Sequence, residues 1–486
     1  MIALLLVLAQ SPTVTVTGGR VAGVVAPSGI REFRGIPFAA PPVGDLRWRP
    51  PQAVIPWEGA RDASAFGPRC MQKYVFQDMQ FRSPGFSEDC LTLNVWTPPH
   101  AKTKLPVLLY FYGGGYVAGD ASEFRYDGEH MARRGIVVVT SNYRLGVFGF
   151  LAHPDLAAES PRHASGNYGL LDQVAALQWV RDNIAVFGGD PKRITIAGES
   201  AGSVSVNLLM ASPLSRGLIA GAIGESGGVI QPAPLDSAER NGAAFGSLAE
   251  LRAMPAAEVL DRADGQYFPV TTDGYFLIES PATTLSAGSQ AHIPLLVGWN
   301  GQEGSWKSIL GDSAPTPARY AAAVQREYGP NADAVLRAFP GDDSNQVKES
   351  GTLLASARFT ALDTWKWAQL AVRTGQKPVF VYNYTRSRGD QGAVHSAEIE
   401  YALGNLGTNH VYAWTADDSA VSSTMQQYFA AFIKTGNPHV AGLPLWPANN
   451  QPQAPIMIID VHPHAETPAF APAFAVLDSL NSLHAH

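Results

Sequence analysis

Short runs of apolar residues, each followed by a polar, glycine-rich stretch, recur along this chain. They cover residues 105–111, 193–197, 293–298 and 378–384. Runs of this length, rich in β-branched and aromatic side chains and closed by turn residues, are typical of buried strands. Residues 203–210, in contrast, predict the opening of a helix. The pattern therefore predicts an α/β fold, with chemistry-bearing loops where the strands end.

A Gly-x-Ser-x-Gly motif lies between the strand at 193–197 and the predicted helix. Its residues are Gly198, Glu199, Ser200, Ala201 and Gly202. In this context the motif is typical of a nucleophile elbow, where glycines relieve crowding at a strained turn that exposes the serine hydroxyl. Ser200 is therefore the predicted nucleophile. Its neighbour Glu199 is either a charge that tunes the pocket, which we favour, or a solvated residue.

A second match to the same motif is centred on Ser226. It also follows an apolar run, residues 218–223, but Pro232 and Pro234 stand where a helix would have to start and continue. Proline disfavours such a helix. Ser226 is therefore predicted to support the site with its hydroxyl rather than to act as the nucleophile.

A nucleophilic serine requires a general base and a carboxylate that orients it. In α/β-hydrolases their chain order is serine, acid, histidine. His395 follows the strand at 378–384 and a polar loop, although a surface loop histidine is the plain alternative. Glu303 is the candidate acid, because it lies in the loop after the strand at 293–298. Asp273 is a rival, but the Asp-Gly pair there is an ordinary turn signal.

The strand at 105–111 runs directly into Tyr112, Gly113, Gly114, Gly115 and Tyr116. Consecutive glycines allow backbone N–H groups to approach a substrate oxygen, which predicts an oxyanion hole formed by Gly114, Gly115 and Ala201. Neither a phosphate-binding Gly-Lys-Ser/Thr ending nor a dinucleotide motif is present, so nucleotide binding has little support. The pattern calls for no cofactor and no metal ion.

These motifs, and others along nearly the whole chain, resemble the type-B carboxylesterases, a family that includes cholinesterases and bacterial para-nitrobenzyl esterases. The further landmarks that carry the resemblance lie at residues 33–39, 41–44, 87–96, 142–146, 169–173 and 187–191.

The resemblance implies an α/β-hydrolase fold: a large, mostly parallel sheet flanked by helices, with loop and helical insertions around an active-site gorge. It implies a serine hydrolase that cleaves carboxylic esters of small molecules through an acyl-enzyme. Residue by residue, it also implies the catalytic triad Ser200, Glu303 and His395, the oxyanion donors Gly114, Gly115 and Ala201, the buried ion pairs Arg47 with Glu88 and Arg144 with Asp172, and a Cys70–Cys90 disulfide.

For the substrate pocket, the resemblance points to Glu199, Tyr116, Trp306 and Lys307. If Lys307 lined the pocket, its ammonium group would favour acyl groups that bear a carboxylate; the alternative is a side chain that extends into water. Residues 71–89 contain no tryptophan, whereas cholinesterases use a tryptophan there to hold a cation. Cholinesterase activity is therefore not expected.

Composition agrees with a single catalytic domain. The length of 486 residues alone would suggest about three domains. No linker, charge block or repeat divides the chain, so residues 12–486 are predicted to form one domain. A net charge of −7 with scattered basic residues argues against a nucleic-acid partner, and no apolar run is long enough to span a membrane. The oligomeric state cannot be read from these features.

The amino terminus and the cysteines suggest export from the cytoplasm. Residues 2–9 have the length of a signal-peptide core, although the basic segment that normally precedes it is missing, so residues 1–11 are interpreted as a signal-peptide remnant. The only two cysteines, Cys70 and Cys90, would be oxidised in an exported protein. The prediction is a secreted or periplasmic location, with two thiols in a cytoplasmic enzyme as the alternative.

Two other functional classes compete with a carboxylesterase. One is a catalytically silent adhesion module of the same fold, which usually lacks the serine. The other is a lipase acting on long-chain esters, for which no extended apolar lid stands out. The complete triad favours the carboxylesterase.

Overall fold

The computed structural model describes residues 11–99, 103–451 and 454–483. The proposed signal-peptide remnant, residues 1–11, therefore lies almost wholly outside the described residues. The strands are β1 (Thr13–Val16), β2 (Gly19–Ala22), β3 (Val24–Val25), β4 (Arg31–Pro37), β5 (Ala60–Asp62), β6 (Arg69–Cys70), β7 (Phe86–Ser87), β8 (Thr92–Thr97), β9 (Leu105–Phe111), β10 (Val137–Ser141), β11 (Gly189–Glu199), β12 (Gly221–Glu225), β13 (Ala233–Pro234), β14 (Thr271–Thr272), β15 (Leu295–Asn300), β16 (Val379–Tyr384), β17 (Ile456–Ile459) and β18 (His464–Glu466).

The α-helices are α1 (Glu129–Arg133), α2 (Gly146–Phe150), α3 (Pro154–Glu159), α4 (Tyr168–Asn183), α5 (Ala201–Ala211), α6 (Leu235–Phe245), α7 (Leu248–Ala253), α8 (Ala256–Arg262), α9 (Pro281–Ser286), α10 (Lys307–Leu310), α11 (Pro317–Tyr328), α12 (Ala332–Ala338), α13 (Ser344–Ser356), α14 (Leu362–Thr374), α15 (Ile399–Leu403), α16 (Ala416–Thr435) and α17 (Ala471–Leu483). A π-helical turn, Ala357–Ala361, joins α13 to α14. None of the described helices is long and apolar enough to cross a membrane.

The central sheet of the described chain has eleven strands, in the order β18-β17-β16-β15-β12-β11-β9-β10-β8-β4-β3. Neighbouring strands from β17 to β10 pair in parallel, whereas the outer strands pair antiparallel. The central parallel strands are buried along nearly their whole length, which explains their continuous apolar runs. The predicted α/β-hydrolase sheet is therefore confirmed.

The parallel pairing brings the strand ends that carry polar residues to one edge. Glu199 at the end of β11 pairs with Glu225 at the end of β12, and Glu225 pairs with Gly298 in β15. The carboxyl ends of parallel strands meet at the same edge, where open α/β sheets hold their ligands. The loops after β9, β11, β15 and β16 therefore converge on one region.

The ion pairs and the disulfide implied by the resemblance are present. Arg47 Nε lies 2.6 Å from Glu88 Oε1, and Arg144 Nη2 lies 2.7 Å from Asp172 Oδ1. Both pairs are largely buried and make two charge-assisted hydrogen bonds each, so removing one partner would leave an uncompensated charge. The Cys70–Cys90 disulfide closes the loop whose residues 76–80 reach the site described next.

Candidate active site

Ser200 occupies the sharp turn between β11 and α5. Its backbone lies at φ 55° and ψ −121°, a region that non-glycine residues rarely adopt and that marks a nucleophile elbow. Gly198 and Gly202 permit this turn by allowing close approach. A Cβ on Gly202 would lie 2.1 Å from the carbonyl oxygen of Phe111, and one on Gly198 would lie 2.5 Å from Gly202. Both glycines of the motif are thus required because any side chain at these positions would clash.

A cavity of about 620 Å³ opens above this turn. Ser200, His395, Glu199, Gly114 and Gly115 all line it. A cavity of this size is in the range of small-molecule sites. Residues that follow three different strands, β9, β11 and β16, therefore face one cavity.

His395 is held by the carboxylate of Glu303. The distance between His395 Nδ1 and Glu303 Oε2 is 2.5 Å, and the Glu303 side chain has no exposed surface. A β-bridge between Gln302 and Val394, the residues just before this pair, ties the two loops together. The carboxylate therefore sets the orientation of the imidazole ring, and Nε2 is left to face the cavity.

Glu303 is itself fixed through its other oxygen. Ser226 Oγ and the backbone N–H of Asn300 donate hydrogen bonds to Glu303 Oε1 at 2.5 and 2.6 Å. Ser226 is fully buried, and no helix begins within eight residues of it. The hydroxyl of this serine thus contacts the Glu303 carboxylate in the protein interior.

Sequence reasoning missed a further carboxyl group behind the acid, Glu398. It accepts a hydrogen bond from Asn300 Nδ2 at 2.5 Å, and its Oε1 lies 3.2 Å from Ser226 Oγ. Burial, together with the charges of Glu199 and Glu303, raises the pKa of Glu398 to about 8. Its position three residues after His395 could have indicated from the sequence that it lies near the site.

His395 lies between two carboxylates. In addition to the Glu303 contact, its Nε2 is 3.2 Å from Glu199 Oε1. Burial lowers the pKa of His395, but the charges of Glu199 and Glu303 outweigh burial and bring it to about 10. Burial raises the pKa of Glu199. Among the described residues no hydrogen bond joins His395 Nε2 to Ser200 Oγ, a bond that in free enzymes often forms only once substrate is present.

Gly114 and Gly115 adopt left-handed backbone conformations, with φ of 108° and 62°. Neither backbone N–H donates a hydrogen bond to any described residue. Ala201 begins α5, so its N–H is one of the unpaired donors at a helix start. Gly114 and Gly115 line the same cavity as Ser200 with their N–H groups unpaired among the described residues, and Ala201 directly follows Ser200.

Comparisons with known proteins agree with this geometry. The family model described as "Carboxylesterase family" matches residues 10–475. The chain belongs to the carboxylesterase family.

The relatives place it among enzymes. The chain is 37% identical to fumonisin B1 esterase of Sphingopyxis macrogoltabida over 86% of this chain and 81% of the relative. It is 33% identical to para-nitrobenzyl esterase of Bacillus subtilis over 92% and 94% of the two chains. A solved PNB esterase structure superposes with a TM-score of 0.84 at 31% identity, covering 96% of this chain and 99% of the other. The protein is a carboxylic ester hydrolase, and the family implies the serine hydrolase mechanism.

Three of the pocket residues expected for this carboxylesterase lie away from the cavity, which corrects the sequence prediction. The ring of Tyr116 is buried against Phe150, and its hydroxyl hydrogen-bonds to Ser205. Trp306 packs on the hydrophobic core, and Lys307 is exposed with Nζ 5.9 Å from the Trp306 ring centroid. The loop after Glu303 turns away from the cavity at this point. Lys307 therefore gives this cavity no preference for carboxylate-bearing acyl groups.

Other residues line the carboxylesterase cavity in their place. Phe359, on the π-helical turn, packs edge-on against the His395 ring at 4.8 Å between centroids. Arg125 and Arg388 also line the cavity, and each pairs with a glutamate, Glu123 and Glu400 respectively. No sequence motif singled out these residues, because the direction in which each side chain points depends on the packing of its segment in the folded chain.

Proposed function

We propose that Ser200, His395 and Glu303 are the nucleophile, general base and orienting acid of this esterase. The observation that carries the proposal is the 2.5 Å contact of His395 with Glu303 in the cavity that exposes the strained Ser200. His395 accepts the Ser200 proton as Oγ attacks the ester carbonyl, and Glu303 stabilises the imidazolium. His395 then protonates the departing alcohol, and water hydrolyses the acyl-enzyme by the same route.

We further propose that the N–H groups of Gly114, Gly115 and Ala201 bind the oxyanion of each tetrahedral intermediate. Donors that are already oriented and unpaired stabilise developing charge without reorganisation. The substrate is a small-molecule ester. The net charge of −7 gives no attraction to nucleic acid.

The pH dependence tests the role of His395. A base that carries its own proton cannot accept one from serine, so kcat/KM for a neutral ester should rise with pH through the pKa of about 10. Glu199→Gln removes one of the two charges that raise this pKa and should move the midpoint to lower pH by about one unit. Acid release from ethyl acetate, followed in a pH-stat, measures both profiles.

The matched control is Glu258→Gln, which removes an exposed glutamate on α8. Its profile should superpose on that of the wild type. Identical midpoints in the wild type and Glu199→Gln would contradict the proposed charge coupling.

We propose that the protein is secreted or periplasmic. The Cys70–Cys90 disulfide supports this, because such bonds persist in oxidising compartments, and so does the apolar segment at residues 2–9. In fractionated bacterial cells we expect an amino terminus near residue 11 in the periplasm or medium, with both cysteines resistant to alkylation. A cytoplasmic protein that begins at Met1 and carries alkylated thiols would contradict the proposal.

A further inference from the structure

Ser396, the residue after the proposed general base, has an unusual backbone and contact. It lies at φ 65°, where a non-glycine residue is strained, and it lines the cavity. Its hydroxyl donates a 2.5 Å hydrogen bond to Glu199 Oε1. Strain of this kind persists only when surrounding contacts impose it, and it concentrates at functional sites.

The acceptor oxygen is shared. Glu199 Oε1 accepts the Ser396 bond and also lies 3.2 Å from His395 Nε2. To act on Ser200, Nε2 must exchange Glu199 Oε1 for Ser200 Oγ. Glu199 is buried, and a buried carboxylate oxygen that loses its donors is costly. Ser396 keeps that oxygen hydrogen-bonded after the imidazole has moved.

We propose that Ser396 is a positioning residue of the esterase reaction, which holds the Glu199 carboxylate while His395 moves from Glu199 to Ser200. The inference rests on the proposed triad. The hydroxyl acts in two ways: it fixes the carboxylate, and it draws negative charge away from Oε1. Both effects weaken the hold of Glu199 on the imidazolium, because a charge-assisted hydrogen bond competes directly with the ion pair.

Charged groups on other elements also act on the pair. The charge of His395 is influenced by Glu199, Glu303 and Glu398. The groups that interact electrostatically with Glu199 are Arg125, Glu225, Glu303, Glu398 and the hydroxyls of Tyr110, Tyr126, Tyr143 and Tyr382. None of these groups is altered by a substitution at Ser396. A change in the pH profile of such a variant therefore reports on the hydroxyl bond itself.

The test compares Ser396→Ala with Ser396→Gly. Both remove the hydroxyl, but only glycine relieves the backbone strain. We expect kcat on ethyl acetate to fall about tenfold in both variants, with KM little changed. The midpoint of the rise of activity with pH should move to higher pH, because Glu199 then holds the imidazolium more strongly. A glycine variant with wild-type kcat and midpoint would overturn the proposal, since backbone geometry alone would then explain Ser396.

A double-mutant cycle with Glu199→Gln separates the mechanism from general damage. Glutamine cannot hold the imidazolium as a carboxylate does, so Ser396→Ala should cost much less in that background. An equal loss in both backgrounds would overturn the proposal. Ser387→Ala, which removes an exposed hydroxyl in the same loop, should match the wild type.

Labelling with a fluorophosphonate distinguishes a failure of the Ser396 proposal from a failure of the proposed triad. If Ser396→Ala still labels on Ser200 but lacks the shift of the pH profile, the triad stands and the positioning role of Ser396 is wrong. If the wild type labels at a residue other than Ser200, the proposed triad itself fails.

Discussion

Ser200→Ala is expected to lower kcat by about a millionfold while the protein remains folded. The reason is that the proposed covalent step has no other nucleophile, since alanine supplies no oxygen for the acyl-enzyme. Alanine and serine have similar backbone preferences, so the substitution should not change the strain of the turn at φ 55° or the stability of the fold. Turnover of ethyl acetate and the thermal midpoint together measure the effect.

Ser226→Ala is the matched control. Ser226 also sits in a Gly-x-Ser-x-Gly motif and has the same φ of 55°, but its hydroxyl hydrogen-bonds to Glu303 in the protein interior. We expect a loss of about tenfold, because Glu303 keeps the Asn300 N–H as a second donor. A millionfold loss in Ser226→Ala, with an active Ser200→Ala, would reverse the assignment.

Gly114→Ala is expected to lower kcat by about 10²–10³-fold. A Cβ at this position would lie 2.2 Å from the carbonyl oxygen of Ala118, and the φ of 108° is unfavourable for alanine. The loop must therefore shift, which moves a proposed oxyanion donor. At Gly115 the φ of 62° is also unfavourable for alanine, but the nearest atom is Val117 Cγ2 at 3.8 Å, so Gly115→Ala causes no clash and should cost less.

The two variants should also differ in their relative activity on esters of small and bulky alcohols. The glycine loop presents no side chain beside the developing charge, so we expect the wild type to hydrolyse tert-butyl acetate as well as ethyl acetate. Gly115→Ala adds a methyl group to the cavity wall and should lose more activity on the tertiary ester. Inertness of the wild type toward tert-butyl acetate, with good activity on ethyl acetate, would contradict this account of the loop.

The local features of the site were predictable because short motifs determine them. The apolar run before Ser200 predicts a strand, and the crowding that requires Gly198 and Gly202 acts within the turn itself. The run is longer than predicted, since β11 begins at Gly189. Loops that follow parallel strands meet at one sheet edge, so His395 and Glu303 could be placed together from their positions after β16 and β15 alone.

The walls of the cavity were not predictable from the same signals. The direction of a side chain in a long loop depends on what the loop packs against, and this determines that Tyr116 faces the core and Lys307 faces solvent. Phe359 contacts His395 from the π-helical turn Ala357–Ala361, which belongs to a different segment of the chain. Ser396 could not be recognised from the sequence. Its backbone is left-handed, a conformation that a glycine would have indicated, but the residue is a serine.

Covalent trapping tests the central claim most directly. Trypsin cleavage after Arg193, Arg216 and Arg240 separates the peptide with Ser200 from the peptide with Ser226. After incubation with a fluorophosphonate, mass spectrometry should find one adduct per chain, located on Ser200, and almost none on that timescale in His395→Ala. An adduct on Ser226, or equal labelling of Ser200 without His395, would contradict the account.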